Sequence, residues 1–299
     1  MKKKSTNLQL FRFLATLGVI HWHSYTLTST PVEGYHLYDL TRGQLGMWHI
    51  GFYFLFLVAG YFAVTGMVRK SEGYIPARLK RLLPALVLTV LLSEIMGAFV
   101  TTLSFSEYIS SPGTYLYLLN AVMVPIHGLP GVFLTHEKST AVNGALWTLP
   151  VEFAGYVGVW LLWKLKLLNK KAMTILLPVV MAAGIALVIY GGAFGIRYIH
   201  IYPVMSFYLG MTLAIYKAKV PWLCFGCPVQ VPEWLAKPGD ISYEMYLLGF
   251  PIQQCIVEYA PGLSQWQHFL LAAAVDIPAA FLLHLAVQRI YPLLNKKKV

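Results

Sequence analysis

Three ionisable side chains, Arg12, His21 and His23, lie within the first apolar run of the chain, residues 8–28. Such groups cost free energy in hydrocarbon and read as functional by default when they sit there. Their spacing separates them. At about 100° per residue, the step from Arg12 to His23 closes roughly three turns plus 20°, which puts both on one face about 16 Å apart along the axis. His21 points the opposite way. It projects about 200° from His23, so the two cannot close on one ion as i and i+4 histidines do, and no metal is expected. A cation and a titratable imidazole on one stripe form a line along which a long anionic ligand can lie. Taken singly, each also has a bland reading: Arg12 as a side chain reaching for the cytoplasmic interface, His23 as a buried histidine hydrogen-bonded within a bundle.

Three further groups of residues invite chemistry. Residues 51–62 carry Gly51, Tyr53, Ala59, Gly60 and Tyr61; small residues let helix backbones approach closely, and packing alone accounts for them. Arg78 and Arg81 are i, i+3 neighbours ahead of Pro84. Two guanidinium forks on one face suit a diphosphate, and equally suit a topological anchor touching anionic lipid. Glu152 follows Pro150 inside an apolar stretch, where a carboxylate is costly unless paired, although Glu94 and Asp276 share that predicament. Trp147 at the same end reads as a stacking residue or as an interfacial-belt aromatic.

Membrane helices must hold these residues. The 299-residue chain is 58% hydrophobic and only 12% charged, with a mean hydropathy of +0.62, where soluble domains carry about 25% charged residues. Stretches long enough to span a bilayer run at 8–28, 45–67, 82–103, 142–163, 173–191, 198–216, 241–260 and 266–291. The formal charge of +11 is a matter of topology rather than nucleic-acid binding. With the lysine-rich N-terminus inside, all 23 basic residues except Arg12, Arg42, Lys138 and Arg197 fall in cytoplasmic segments, which sets eight crossings with both termini cytoplasmic.

Residues 115–133 are also apolar but contain Pro125, Gly128, Pro130 and Gly131. A full crossing there would invert every later helix, so the segment reads as re-entrant or interfacial, or as a pair of short half-spans. The expected fold is therefore all-α, a polytopic transmembrane helical bundle of eight spans plus that segment, forming a single domain over residues 1–299. The first helix is too long in its apolar run, and lacks a clear small-residue cleavage site, to read as a cleaved signal peptide. Cys224 and Cys227 fall in a predicted cytoplasmic loop without a second ligand pair and read as free thiols, and Cys255 as packing.

In this order, the segments resemble the acyltransferase family 3 of integral membrane acyltransferases, which acylate extracytoplasmic glycans and other acceptors. Arg12 and His23 match its arginine, ten residues, histidine pattern. Gly51 through Tyr61 is similar to its second-helix element, with Ala59 in the serine position. Arg78, Arg81 and Pro84 match its basic element; Leu146, Trp147, Leu149, Val151 and Glu152 match a further one; Gly239, Ile241, Ser242, Tyr243, Tyr246 and Leu247 match the last. The chain departs from the family in three ways. Members usually have ten helices rather than eight, Gly249 replaces a common histidine, and Gln288 replaces a common glutamate.

The resemblance implies an O-acyltransferase, foremost an O-acetyltransferase, in a bacterial inner membrane. It would move an acyl group from cytoplasmic acetyl-CoA, or another acyl-CoA, to a hydroxyl of a cell-surface glycan or lipid-linked sugar precursor. In that reading Arg12, Arg78 and Arg81 bind the donor and His23 acts as general base. Glu152 orients His23 or holds the sugar, while Trp147, Tyr156 and Tyr53 contact the acceptor. Membrane lipids are its other partners, with no nucleic acid and no metal. The rival reading is a proton-coupled transporter or flippase with an Arg12, His23, Glu94 and Glu152 relay; such proteins often show inverted repeats, and none is found here. A third is an inactive relative that only binds an acyl donor.

Overall fold

The computed structural model describes residues 6–28, 47–195, 198–217 and 239–295. Among these the regular structure is helical, with no strand. The long helices are α1 (Thr6–Leu27), α2 (Met47–Arg69) and α3 (Tyr74–Val100). Two short helices follow, α4 (Phe105–Ser110) and α5 (Pro112–Tyr117). The remainder are α6 (Thr148–Lys164), α7 (Lys170–Tyr190), α8 (Tyr198–Ile215), α9 (Ser242–Tyr259) and α10 (Gln265–Asn295).

A helix lies over each of the eight apolar stretches, but the helices differ in apolar length. The segments His49–Arg69, Tyr74–Val100, Lys170–Tyr190 and Gln265–Tyr291 are long and apolar enough to cross a membrane, and Ile199–Ile215 is a shorter apolar helix. The physical reason is composition: α1 carries Arg12, His21 and His23, and α9 carries Glu244, Gln253, Gln254 and Glu258. Large apolar side chains stand exposed along α3 (Leu91, Leu92, Ile95, Phe99), α7 (Ile175, Val179, Ile185, Ile189) and α10 (Leu270, Leu271, Val275, Leu282). Surfaces of that kind belong in lipid, not water.

The described residues form two compact units, each assembled from three stretches of chain: 6–15, 47–79 and 151–217 in the first, 16–28, 80–150 and 239–295 in the second. In the first unit, α2 packs along α8 and α8 along α7. Glycine makes the α2–α8 approach possible from both sides. A methyl group on Gly60 would strike the Phe207 carbonyl oxygen, and one on Gly210 would strike the Leu57 carbonyl oxygen. The small-residue packing read from Gly60 is thus what the helix pair uses.

In the second unit, α9 packs on α10, and part of α3 shares a core with residues 108–149 and Leu247. The 115–133 segment contains no crossing helix. It comprises the end of α5, a 3₁₀ turn at Leu118–Val122 and irregular chain with positive φ at Met123 (64°), Gly131 (71°) and Phe133 (54°). Buried irregular backbone needs side-chain partners, and Asn120 supplies them. Its Nδ2 donates to the carbonyls of Tyr117 (2.8 Å) and Ile126 (2.9 Å), and its Oδ1 accepts from the Ile126 amide at 3.0 Å. Ser104 and Glu107 form a capping box at the start of α4. Its Ser104 hydroxyl and amide hold the exposed Glu107 carboxyl below the usual carboxylate range.

Candidate functional site

The first unit builds a guanidinium site. Arg78, near the start of α3, turns back on α2, where its Nη2 donates to the Phe62 carbonyl at 2.9 Å and reaches that of Ala63 at 3.5 Å. Gly66 leaves the room, since a methyl group there would strike that nitrogen. The guanidinium carbon lies 4.9 Å from the Tyr74 ring centre and 5.1 Å from that of Tyr156. Each contact is within cation–π range, worth about 0.5–2 kcal/mol. Tyr156 is buried, its ring set edge-on to Phe207 at 5.9 Å, and its hydroxyl donates to the Glu152 carboxylate one turn earlier on α6. The chain Glu152, Tyr156, Arg78 therefore joins three residues named from the sequence.

Arg78 and Arg81 are not equivalent. Arg78 is half-buried and fastened by backbone carbonyls, whereas Arg81 is exposed. The same unit holds Arg12, half-buried on α1, and Tyr53, whose ring stands edge-on to Tyr202 of α8 at 5.5 Å.

The second unit holds both histidines of α1, and they address different helices. His23 sets its ring edge-on to Phe250 of α9, with centroids 5.0 Å apart at 80°. Gly144 makes way for that phenylalanine. His21 faces α10: Gln265 Nε2 lies 2.9 Å from its Nε2, and its ring lies 4.6 Å from Trp266 and 5.1 Å from Phe269. This is the divergence that their angular separation demands.

Hydrogen bonds fix the wall that carries His23. Thr16 Oγ1 donates to the Ser242 carbonyl at 3.3 Å. The fully buried Gln253 donates through Nε2 to the Ile20 carbonyl and to Ser24 Oγ, each at 2.7 Å. The half-buried Trp147 belongs to this unit too, beside Leu146 and Leu149 of the core.

Two polar devices here carry no periodic signature in the sequence. Pro251 has no N–H, so the Leu247 carbonyl loses its helical partner; Asn143 Nδ2 replaces it at 2.9 Å. At the start of α9, the buried Glu244 meets His284 Nδ1 at 2.8 Å, and His284 Nε2 meets Gln288 at 2.8 Å. Glu244 and His284 are far apart in sequence, so no helix period links them. The Asn143 role had a readable cue in a polar residue preceding an apolar run and a proline inside a later one. Cys255 Sγ lies 3.0 Å from Met96 Sδ, a packing position. Cys224, Cys227, Arg42 and Arg197 lie outside the described residues. Among the described residues no three His, Cys, Asp or Glu side chains converge as metal ligands would.

Comparison with known proteins bears on this arrangement. A family profile described as an acyltransferase domain, that of acyltransferase family 3, matches residues 5–223. The O-acetyl transferase of Shigella phage Sf6 is 25% identical over 253 residues, covering 80% of this chain and 71% of the relative. No solved structure matches.

Proposed function

Because the chain belongs to the acyltransferase family 3 and is an acyl-transferring enzyme with membrane helices, we propose that it carries an acetyl group from acetyl-CoA to a hydroxyl of a cell-surface glycan or lipid-linked sugar. The observation that carries this reading is the extent of the family match. Residues 5–223 take in Arg12, His23, Arg78, Arg81, Trp147 and Glu152 together. The O-acetyl transferase relative supports acetyl as the group and oxygen as its destination.

In this proposal the chain is one bacterial inner-membrane domain that crosses eight times, with both termini cytoplasmic. His23, in its neutral form, takes the proton from the acceptor hydroxyl as that oxygen bonds to the acyl carbon. It returns the proton to sulfur as the carbon–sulfur bond breaks, leaving free CoA and the ester. Arg78 suits a phosphate because backbone carbonyls anchor it through Nη2, so its fork is held in place before a ligand arrives. Arg81 adds charge at the surface, and Arg12 meets the donor along α1. Glu152 acts as a positioning residue for Tyr156 and so for Arg78. Trp147 and Tyr53 contact the acceptor.

Purified protein in nanodiscs, given acetyl-CoA labelled in the acetyl group and surface polysaccharide as acceptor, tests the reading. Label should appear in ester linkage on the glycan with release of one CoA per ester. Donor binding without ester formation would leave only a binding protein, and proton-coupled movement of sugar without ester would make it a transporter.

A further inference from the structure

We propose that a polar cavity formed by His136, Gln254 and Glu258 in the second unit is the acceptor-sugar subsite. This proposal rests on the acyltransferase reading above. The cavity has a volume of about 420 Å³, within the range of small-molecule sites, about 300–1,000 Å³. Its position is the first argument. Leu27 of α1, Thr28 just after it and Gln254 of α9 line it, while His23 and Phe250, one turn earlier on the same two helices, touch each other. One turn is about 5.4 Å. On both helices the cavity therefore begins a single turn beyond the proposed base.

The second argument is that the wall is built rather than accidental. Gln254 spends both amide hydrogens on the carbonyls of Ser139 (2.8 Å) and Ala141 (2.6 Å), which turns its Oε1 toward His136 Nδ1 at 3.1 Å. His136 Nδ1 is therefore a donor. Its Nε2 faces Glu258 Oε2 at 2.8 Å, so the ring is held between an amide oxygen and a carboxylate. The His136 side chain is 7% exposed and that of Glu258 is 35% exposed, so the carboxylate remains open to the cavity. His268 adds another group to the lining: its Nε2 lies 3.1 Å from the Gln253 carbonyl, and its Nδ1 has no partner among the described residues.

Chemistry names the ligand class. The lining mixes the Glu137 and Glu258 carboxylates with the Lys138 ammonium and the His136 ring. Carboxylates that accept, an ammonium that donates, and the Thr28, Thr135 and Ser139 hydroxyls that do both match the alternating donors and acceptors of a neutral sugar.

The test uses the full chain in nanodiscs and a panel of methyl glycosides of glucose, galactose, rhamnose and N-acetylglucosamine, followed by saturation-transfer NMR without donor. Acetyl-CoA binding is measured separately by calorimetry. The wild type should bind at least one glycoside. Glu258→Gln and the rim substitution Thr135→Trp should each weaken that binding about tenfold, the size expected for losing a charged hydrogen-bond acceptor or the space beside it. Acetyl-CoA affinity should be unchanged in both, and His23→Ala should still bind the glycoside. Thr135 is exposed, so Thr135→Trp reports on occupancy even if Glu258→Gln fails to fold. Failure of the wild type to bind any glycoside, or wild-type binding in the folded variants, would overturn the subsite. Failure to bind acetyl-CoA would instead overturn the donor reading, independently of the sugar result.

Discussion

The two units solve the problem of polar groups in a helical membrane protein in opposite ways. The first brings backbones into contact through Gly60 and Gly210 and commits one half-buried cation, Arg78, to helix carbonyls. The second lets the chain run irregularly between α5 and α6 and satisfies its backbone with the side chains of Asn120, Asn143, Gln253 and Gln254. A glycine-packed pair is rigid and has little room for a ligand, so it suits holding a charge at a fixed point. Side-chain amides substituting for helix hydrogen bonds leave space between them, which suits a site for a hydroxyl-bearing substrate.

The sharpest way to break this contrast is His23→Ala. It should lower turnover by about 10²–10⁴-fold, the usual yield of a positioned general base, while His21→Ala retains most activity. Initial rates on saturating acetyl-CoA and polysaccharide decide it, and near-normal turnover in folded His23→Ala would remove the base from the second unit. Gly60→Ala should destabilise the first unit by about 1–3 kcal/mol through overpacking against the Phe207 carbonyl. Thermal denaturation followed by tryptophan fluorescence would show a lowered midpoint, and an unchanged one would mean that the α2–α8 pair yields easily.

Arg78→Ala should raise the donor KM by about ten- to hundredfold with turnover at saturation nearly kept, and Arg78→Lys should not restore it, because the anchored fork is lost. The exposed Arg81→Ala should change the donor KM by about threefold or less. Equal effects of the two would erase the distinction drawn from their burial. Asn143→Ala should cost about 1–3 kcal/mol of stability by leaving the Leu247 carbonyl unpaired. Gly or Ala at Pro251 in the same background should recover part of it by restoring the helical donor. Glu152→Gln belongs with Arg81→Ala among the small effects. As a positioning change it should raise the donor KM by about threefold with little change in turnover, whereas a fall in turnover alone would move Glu152 to the reacting centre.

Much of this protein was legible before its fold. Hydropathy and basic-residue placement gave helical membrane character and the positions of the long helices. The helix period turned His21 away from His23, and the ordered elements from Arg12 to Leu247 pointed to the acyltransferase family. These properties follow from local composition and from a period of 3.6 residues, which the chain carries in itself. The eight-span reading fares less well as a statement about length and apolarity among the described residues, because the polar residues of α1 and α9 dilute their apolar windows.

Only the tertiary structure decided which neighbour each face meets. A helix period says that His23 and His21 diverge, but not that one meets Phe250 and the other Gln265. An i, i+3 spacing joins Arg78 to Arg81, yet burial makes one a fastened fork and leaves the other at the surface. Asn143 with Leu247, Gln254 with Ser139, and His136 with Glu258 are pairs separated by roughly a hundred residues. Their energy comes from satisfying buried polar groups after the chain has folded, and that need has no period that a sequence can display.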